Sequence, residues 1–293
     1  MGGLDRDAPA PFGRVAIVGF GLIGASIALA ARQRWPSVQL IAIDRKSVLE
    51  GVRRLNAADI VGDDLALAAA ADLIVLAAPV CANIRILSEL PNHVRGEAVV
   101  TDAGSTKQQI ASAAAALPAR LPFIGGHPVA GAATGGLDAA RADLFTDRPW
   151  ILTTSADQTT AAEKLTAFVH GLGARVHVMT PEAHDAQVAY LSHLPQLAAS
   201  ALMHLVGERA GVDGLALGGR GLKDTTRLAS SPVDIWRDIA STNQDNIARA
   251  IDEFIEVLLS LKPGSRAADD PMGTVFESAA RWKRVLESGR EHS

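Results

Sequence analysis

The sequence contains a single cysteine, Cys81, in 293 residues. That excludes an intramolecular disulfide and fits a reducing, cytoplasmic setting. Cys81 follows an apolar run, Leu73–Ala78, with no histidine near it in sequence, so it reads as a small buried residue rather than a nucleophile. An excess of one charge is also lacking. Lys and Arg number 28 against 32 Asp and Glu, a net charge of −4 with a pI near 6.1. Neither nucleic acid nor an anionic membrane surface is implied as a partner. The uncharged stretch Val15–Ala31 is shorter than the roughly 20 residues a bilayer span needs, and three glycines punctuate it. The leading MGGLDRDAPAPFG carries two acids and is a poor signal n-region. Low-complexity tracts, repeats and metal-ligand spacings are absent from the sequence, and the expectation for metal is none. The first dozen residues and Gly289–Ser293 read as disordered.

What is present begins at Arg14–Ala31, RVAIVGFGLIGASIALAA. Gly19, Gly21 and Gly24 form G-x-G-x-x-G directly after an apolar run, Val15–Val18, with Leu22 and Ile23 opening a helix. A second apolar run, Leu40–Ile43, ends in Asp44, about 20 residues on, where dinucleotide folds place an acid. Gly19 permits the tight turn, Gly21 lets backbone approach a pyrophosphate, and Gly24 lets helix pack on strand. The first helical N–H groups then face phosphate. A carboxylate at Asp44 accepts hydrogen bonds from ribose hydroxyls and repels a 2′-phosphate, which favours NAD. Arg45 and Lys46 beside it keep NADP open.

Further along, strand-like segments (Leu73–Ala78, Ala98–Thr101, Phe123–Gly125, Trp150–Thr153, Arg175–Val178) alternate with helical ones such as Lys107–Ala116 and Ala161–His170. That alternation implies a mainly parallel sheet with helices on both faces, with ligands beyond the carboxyl ends of its strands. Three such ends carry chemistry: Ala78-Pro79, Asp102 to Ser105, and Gly126-His127-Pro128. From Thr180-Pro181-Glu182, a helix start, the pattern becomes helical. It is interrupted at Pro195 and by a Gly-rich connector, Gly211–Gly221, and resumes over Asp224–Ala229, Asp234–Leu261 and Pro271–Glu287. Ile247, Ile251, Ile255 and Leu258 share one face. The fold class expected is α/β, with a Rossmann-type NAD-binding domain over 13–179 followed by an all-helical dimerisation domain over 180–293. The small, apolar second domain points to packing on a copy of itself.

Four further segments complete the pattern: Asp102-Ala103-Gly104-Ser105-Thr106-Lys107; Gly125-Gly126-His127-Pro128-Val129-Ala130-Gly131; Ser192-His193-Leu194-Pro195-Gln196; and Gly221-Leu222-Lys223-Asp224-Thr225-Thr226-Arg227, with Trp236 beyond. Together with the glycine motif these resemble the prephenate/arogenate dehydrogenase family of tyrosine biosynthesis, from Arg14 to about Leu261. The resemblance implies hydride transfer to NAD from the ring carbon bearing the substrate's 4-hydroxyl, with loss of the ring carboxylate as CO₂. It implies His127 as the catalytic imidazole and Ser105 as a hydrogen-bond partner of the same hydroxyl. His193 and Arg227 are implied as substrate contacts, Arg227 through its planar fork, with Lys223 nearby and Trp236 lining the pocket. Ala78, Pro79 and Asp102 join Gly19, Gly21, Leu22, Ile23, Gly24, Asp44 and Arg45 as candidate cofactor residues. A homodimer through the helical domain is implied as well.

Asp224 is placed to orient Arg227, three residues on in a helical turn. His184 lies on the opposite helix face from His193, so the two cannot share a site. Two positions depart from the family pattern. Ala133 stands where an acid is common, and Gln196 where many members carry a second histidine; Gln bonds but cannot carry charge. Two other readings compete. A β-hydroxyacid dehydrogenase-like enzyme shares the two-domain plan but does not require Gly-Gly-His-Pro with Lys-Asp-x-x-Arg. A non-catalytic NAD-sensing module requires nothing at His127, Ser105 or Arg227.

Overall fold

The computed structural model describes residues 9–131, 135–154, 159–263 and 270–288. Ala133, the first eight residues and Gly289–Ser293 lie outside the described residues. The chain divides into two compact units, Met1–Gln187 with Pro232–Asn243, and Val188–Ser231 with Gln244–Ser293.

The first unit is built on an eight-stranded sheet in the order β3-β2-β1-β4-β5-β6-β7-β8. The strands are β1 (Arg14–Val18), β2 (Gln39–Ile43), β3 (Ile60–Gly62), β4 (Leu73–Leu76), β5 (Val99–Asp102), β6 (Phe123–Pro128), β7 (Pro149–Thr153) and β8 (Arg175–Met179). Pairing is parallel from β3 to β6, antiparallel between β6 and β7, and parallel between β7 and β8. Because β1, β4, β5 and β6 run the same way, their carboxyl ends share one edge, which carries Gly19, Ala78, Asp102 and His127.

Alternation along each strand divides the core. Val15, Ile17, Leu73 and Val75 face one layer together with Trp35 and Phe168, whose rings stack at 5.4 Å. Ala16, Val18, Ile74 and Leu76 face the other, against Leu87, Leu90 and Ile110. Both faces of the central strands are covered, so β1, β2 and β4 are apolar apart from Arg14 and Gln39 at their starts, as buried parallel strands require. The covering helices are α1 (Leu22–Arg34), α2 (Lys46–Leu55), α3 (Val80–His93), α4 (Gln108–Ala114), α5 (Thr159–Gly171) and α6 (Pro181–Val188). Helix α2 buries Leu49 and Val52, turns its charges outward, and stops at Asn56 in a left-handed conformation (φ 50°).

In the second unit, a π-helical turn (Ala189–His193) leads into α7 (Leu194–Leu215), followed by α8 (Arg220–Thr225), a 3₁₀ turn (Arg227–Ser230), α10 (Gln244–Ser260) and α11 (Pro271–Ser288); α9 (Val233–Thr242) belongs to the sheet unit. The interruption expected at Pro195 is a π-helical turn just before it. Pro195 sits in the first turn of α7, and the wider turn before it takes up the backbone that a proline cannot bond. Within α7, Gly211 is non-helical (φ 62°). Large apolar side chains stand exposed on this unit, among them Leu205, Val212, Leu258, Phe276 and Trp282. Ile247 is buried while Ile255 and Leu258 are not, so the expected stripe is only partly covered.

Two expectations need correction. The short strand β3 extends the sheet and had no signal in the sequence. The helical run Asp234–Leu261 is broken at Asn243 into α9 and α10. By contacts, α6 up to Gln187 and α9 group with the sheet unit. The reason for α9 is visible in its contacts. The Asp238 carboxylate accepts from the Cys81 N–H at 3.2 Å, capping α3, and the Thr242 hydroxyl lies 2.7 Å from that of Thr106. Among the described residues no helix is long and apolar enough to cross a membrane.

Candidate active site

The glycine motif forms the turn between β1 and α1. Gly19 has φ +99° and its N–H donates to the Ile43 carbonyl at 2.9 Å; only glycine adopts that backbone without strain. A Cβ on Gly24 would collide with the Gly19 carbonyl oxygen, so the helix could not close on the strand. Gly21 is the N-cap of α1 and supplies no side chain to the first helical N–H groups, which leaves them for an anion. A Cβ on Gly21 would meet nothing within 4 Å. One Asp44 oxygen accepts from the Phe20 N–H and the other from its neighbour Arg45, both at 2.6 Å. This couples the acid at the end of β2 to the glycine turn.

These residues line a groove of about 900 Å³, at the upper end of ligand-site volumes. Gly19, Gly21, Asp44, Arg45, Ala78 and Pro79 meet there, with Arg54 and Arg85 on the rim of the same groove. The side chains of Leu22 and Ile23 pack on the core, and as the first two residues of α1 they carry two of its uncapped N–H groups. The Ala78-Pro79 loop is held from beneath by buried Asn83, which donates to the carbonyls of Leu76 (3.1 Å) and Ala78 (2.9 Å). Uncapped helix, open glycine and ribose-side carboxylate together fit a dinucleotide.

Asp102 was expected to touch the cofactor, but its carboxylate is fully buried and engaged by the protein. It accepts from Gly104 N–H at 2.8 Å and Gly126 N–H at 3.1 Å, and it pairs with the fully buried Lys107 ammonium. Burial pushes the Lys107 amine down from its ordinary value, against the opposing pull of Asp102 and Asp185. The clamp ties the end of β5, and the loop bearing half-buried Ser105, to the residue before His127.

His127 is half-buried near the end of β6. Its Nδ1 lies 2.8 Å from Nε2 of His184, and His184 Nδ1 lies 2.7 Å from an Asp185 oxygen. Asp185 also caps α4 by accepting from the N–H groups of Lys107 (2.7 Å) and Gln108 (2.9 Å). Sequence reasoning weighed His184 only against His193 and missed this meeting. The available signal was the adjacent His-Asp pair just after a helix start. Cys81 is half-buried rather than buried; Asp238 and then burial push its thiol up, which disfavours a nucleophilic thiolate. Trp236, expected with the helical domain, lies half-buried on α9 in the sheet unit.

His193, Lys223 and Arg227 belong to the second unit. His193 is buried at the end of the π-helical turn, whereas Lys223 and Arg227 are exposed. Asp224 does not orient Arg227: helix α8 ends between them, and Asp224 pairs with Arg220 at 3.5 Å. Gln196 is buried; it donates to the Leu228 carbonyl at 2.8 Å and accepts from the Ser231 hydroxyl at 3.0 Å. It therefore fixes the turn that begins with Arg227. Among the described residues no cluster of three or more His, Cys, Asp and Glu could hold a metal.

A dinucleotide groove on a parallel sheet, with an imidazole on the same edge, defines a nicotinamide-dinucleotide-dependent dehydrogenase. Residues 27–178 match the family described as prephenate dehydrogenase, nucleotide-binding domain, and residues 180–270 match prephenate dehydrogenase, dimerization domain. The chain belongs to the prephenate dehydrogenase family. It is 34% identical to a prephenate dehydrogenase of Bacillus subtilis over 248 residues (82% of this chain, 67% of that one). It is 32% identical to a cyclohexadienyl dehydrogenase of Zymomonas mobilis over 290 residues (96% and 98%). The crystal structure of prephenate dehydrogenase from A. aeolicus, in complex with hydroxyphenyl propionate and NAD+, superposes with a TM-score of 0.82 at 27% identity, covering 95% of this chain and 97% of that one.

Proposed function

We propose that this chain oxidatively decarboxylates prephenate to 4-hydroxyphenylpyruvate with NAD as oxidant, and that His127 is the base. One observation carries the reading: the imidazole stands on the strand edge that holds the dinucleotide groove, beside the loop that bears Ser105. Bound dinucleotide supplies the hydride acceptor. As the hydride leaves the ring carbon, the hydroxyl proton passes to His127, and Ser105 holds the oxygen. The ring then loses its carboxylate as CO₂, the electron pair of the broken bond completes the aromatic ring, and the oxygen takes the proton back as a phenol. Arg227, with Lys223 nearby, binds the substrate's carboxylates, His193 contacts the substrate, and Trp236 lines the pocket. Arginine suits this role because its fork pairs two carboxylate oxygens at once.

Asp44 supports NAD over NADP, because a 2′-phosphate would meet a carboxylate that is already committed to the glycine turn. The exposed apolar side chains of the helical unit support a homodimer through that unit. A single unpaired cysteine supports a cytoplasmic setting. Arogenate is the second substrate to weigh, since it differs only in carrying an amine for the side-chain keto group. Reduced-cofactor formation at 340 nm, with prephenate and arogenate each against NAD and NADP, tests the reading. Turnover highest with prephenate and NAD is expected, and a folded, NAD-binding protein inert to both substrates would overturn it.

A further inference from the structure

The hydrogen bonds behind His127 bear on which of its nitrogens holds the proton. Asp185 accepts from two backbone N–H groups and from His184, and a carboxylate in that position has no proton to give. His184 must therefore donate from Nδ1. A neutral His184 then presents only a lone pair at Nε2, so the 2.8 Å contact requires His127 to donate from its own Nδ1. The lone pair of His127 is left on Nε2. The arrangement is well supported. His184 and Asp185 are both fully buried, and the Asn243 amide donates to the Asp185 main-chain carbonyl at 2.8 Å.

We propose that His184 is a positioning residue that holds His127 in the tautomer able to take the substrate's proton, with Asp185 orienting His184 in turn. This rests on the reading of His127 as the base. In the reaction one proton moves from the hydroxyl oxygen to His127 Nε2. Nothing leaves Nδ1, and the new positive charge is met by two hydrogen bonds in series that end on a carboxylate. Without His184 the ring also populates the form protonated on Nε2, which cannot accept the proton.

Two substitutions separate positioning from packing. In His184→Asn the amide nitrogen falls near the place of Nδ1, keeps the bond to Asp185 and removes the partner of His127. In His184→Gln the amide reaches toward the place of Nε2 and restores an acceptor. General-base catalysis supplies roughly 10²–10⁴-fold, so His184→Asn is expected to lower kcat by at least about tenfold, with KM and the Kd for NADH within about twofold of wild type. His184→Gln should recover part of the lost kcat. Nitrogen-15 NMR of histidine-labelled wild-type protein, which needs no variant to fold, should show His127 protonated on Nδ1 and bare on Nε2. Finding His127 protonated on Nε2 in the wild type would overturn the proposal. So would wild-type kcat in His184→Asn when His127→Asn is inactive. Full turnover in His127→Asn would remove the base assignment and the proposal together.

Discussion

Replacing Lys107 by Met tests whether the buried clamp at Asp102 is a charge pair that the fold depends on. Both side chains are fully buried, and the Asp102 carboxylate holds the N–H groups of Gly104 and Gly126 as well as the ammonium. Met keeps the length and apolar stem of lysine, so little packing is lost. What disappears is the compensating charge. Breaking a buried pair by removing one partner costs about 3–5 kcal/mol. For a unit of this size each kcal/mol is worth roughly 2–4 °C, so Tm should fall by about 6–20 °C. Urea unfolding followed by tryptophan fluorescence is a suitable assay, because Trp35, Trp150 and Trp236 all lie in the sheet unit. Adding Asp102→Asn to Lys107→Met removes the bare charge and should return about 1–3 kcal/mol, a coupling of the size expected between groups in contact. The Gly104 N–H then faces an amide nitrogen, so recovery stays partial. A Lys107→Met variant within about 1 kcal/mol of wild type would mean that the two glycine N–H groups alone hold the buried carboxylate and that the fold does not depend on the counter-charge.

Gln196→Ala removes two hydrogen bonds that hold the turn beginning at Arg227; it should destabilise by roughly 1–3 kcal/mol and raise KM for substrate more than it lowers kcat, as steady-state kinetics beside thermal unfolding would show. Asp59 titrates below its ordinary value: burial opposes this, but the Leu40 N–H and the Arg32 guanidinium outweigh it. Its stabilisation is therefore present above the unfolded carboxylate value of about 3.9 and is lost as pH falls through the lower folded one. Asp59→Asn should lie under about 1 kcal/mol from wild type at neutral pH, and the gap should close in acid unfolding curves below about pH 4.

How much of this was legible in the sequence varied with the distance over which each feature is decided. The glycine turn and Asp44 were readable because one short segment, strand to helix to strand, encodes them and the acid bonds back to Phe20 within it. The strand β3 was not, since Ile60–Gly62 is three residues long, sits at the sheet edge and has no period to detect. Helix α9 looked continuous with α10 because helical spacing passes through Asn243. Its packing with the sheet depends on Asp238 reaching Cys81, a contact between distant parts of the chain. The same limit hid His184. Periodicity ranks residues around one helix, whereas the partner of His184 is on β6, and only the folded sheet brings the two rings to 5.0 Å between centroids. The clamp on Asp102 was hidden for the opposite reason: its position at a strand end points to cofactor, and nothing in the sequence reveals that Lys107 and two glycine N–H groups hold its carboxylate.

If His127 takes the substrate's proton, His127→Asn must lose the chemical step and keep the dinucleotide. Initial rates at 340 nm with prephenate and NAD are compared with wild type, alongside the Kd for NADH by fluorescence. Asparagine can hydrogen-bond the hydroxyl but cannot accept its proton, so kcat should fall by roughly 10²–10⁴-fold while NADH binding is unchanged. Turnover at the wild-type rate with intact NADH binding would show that His127 is not the base.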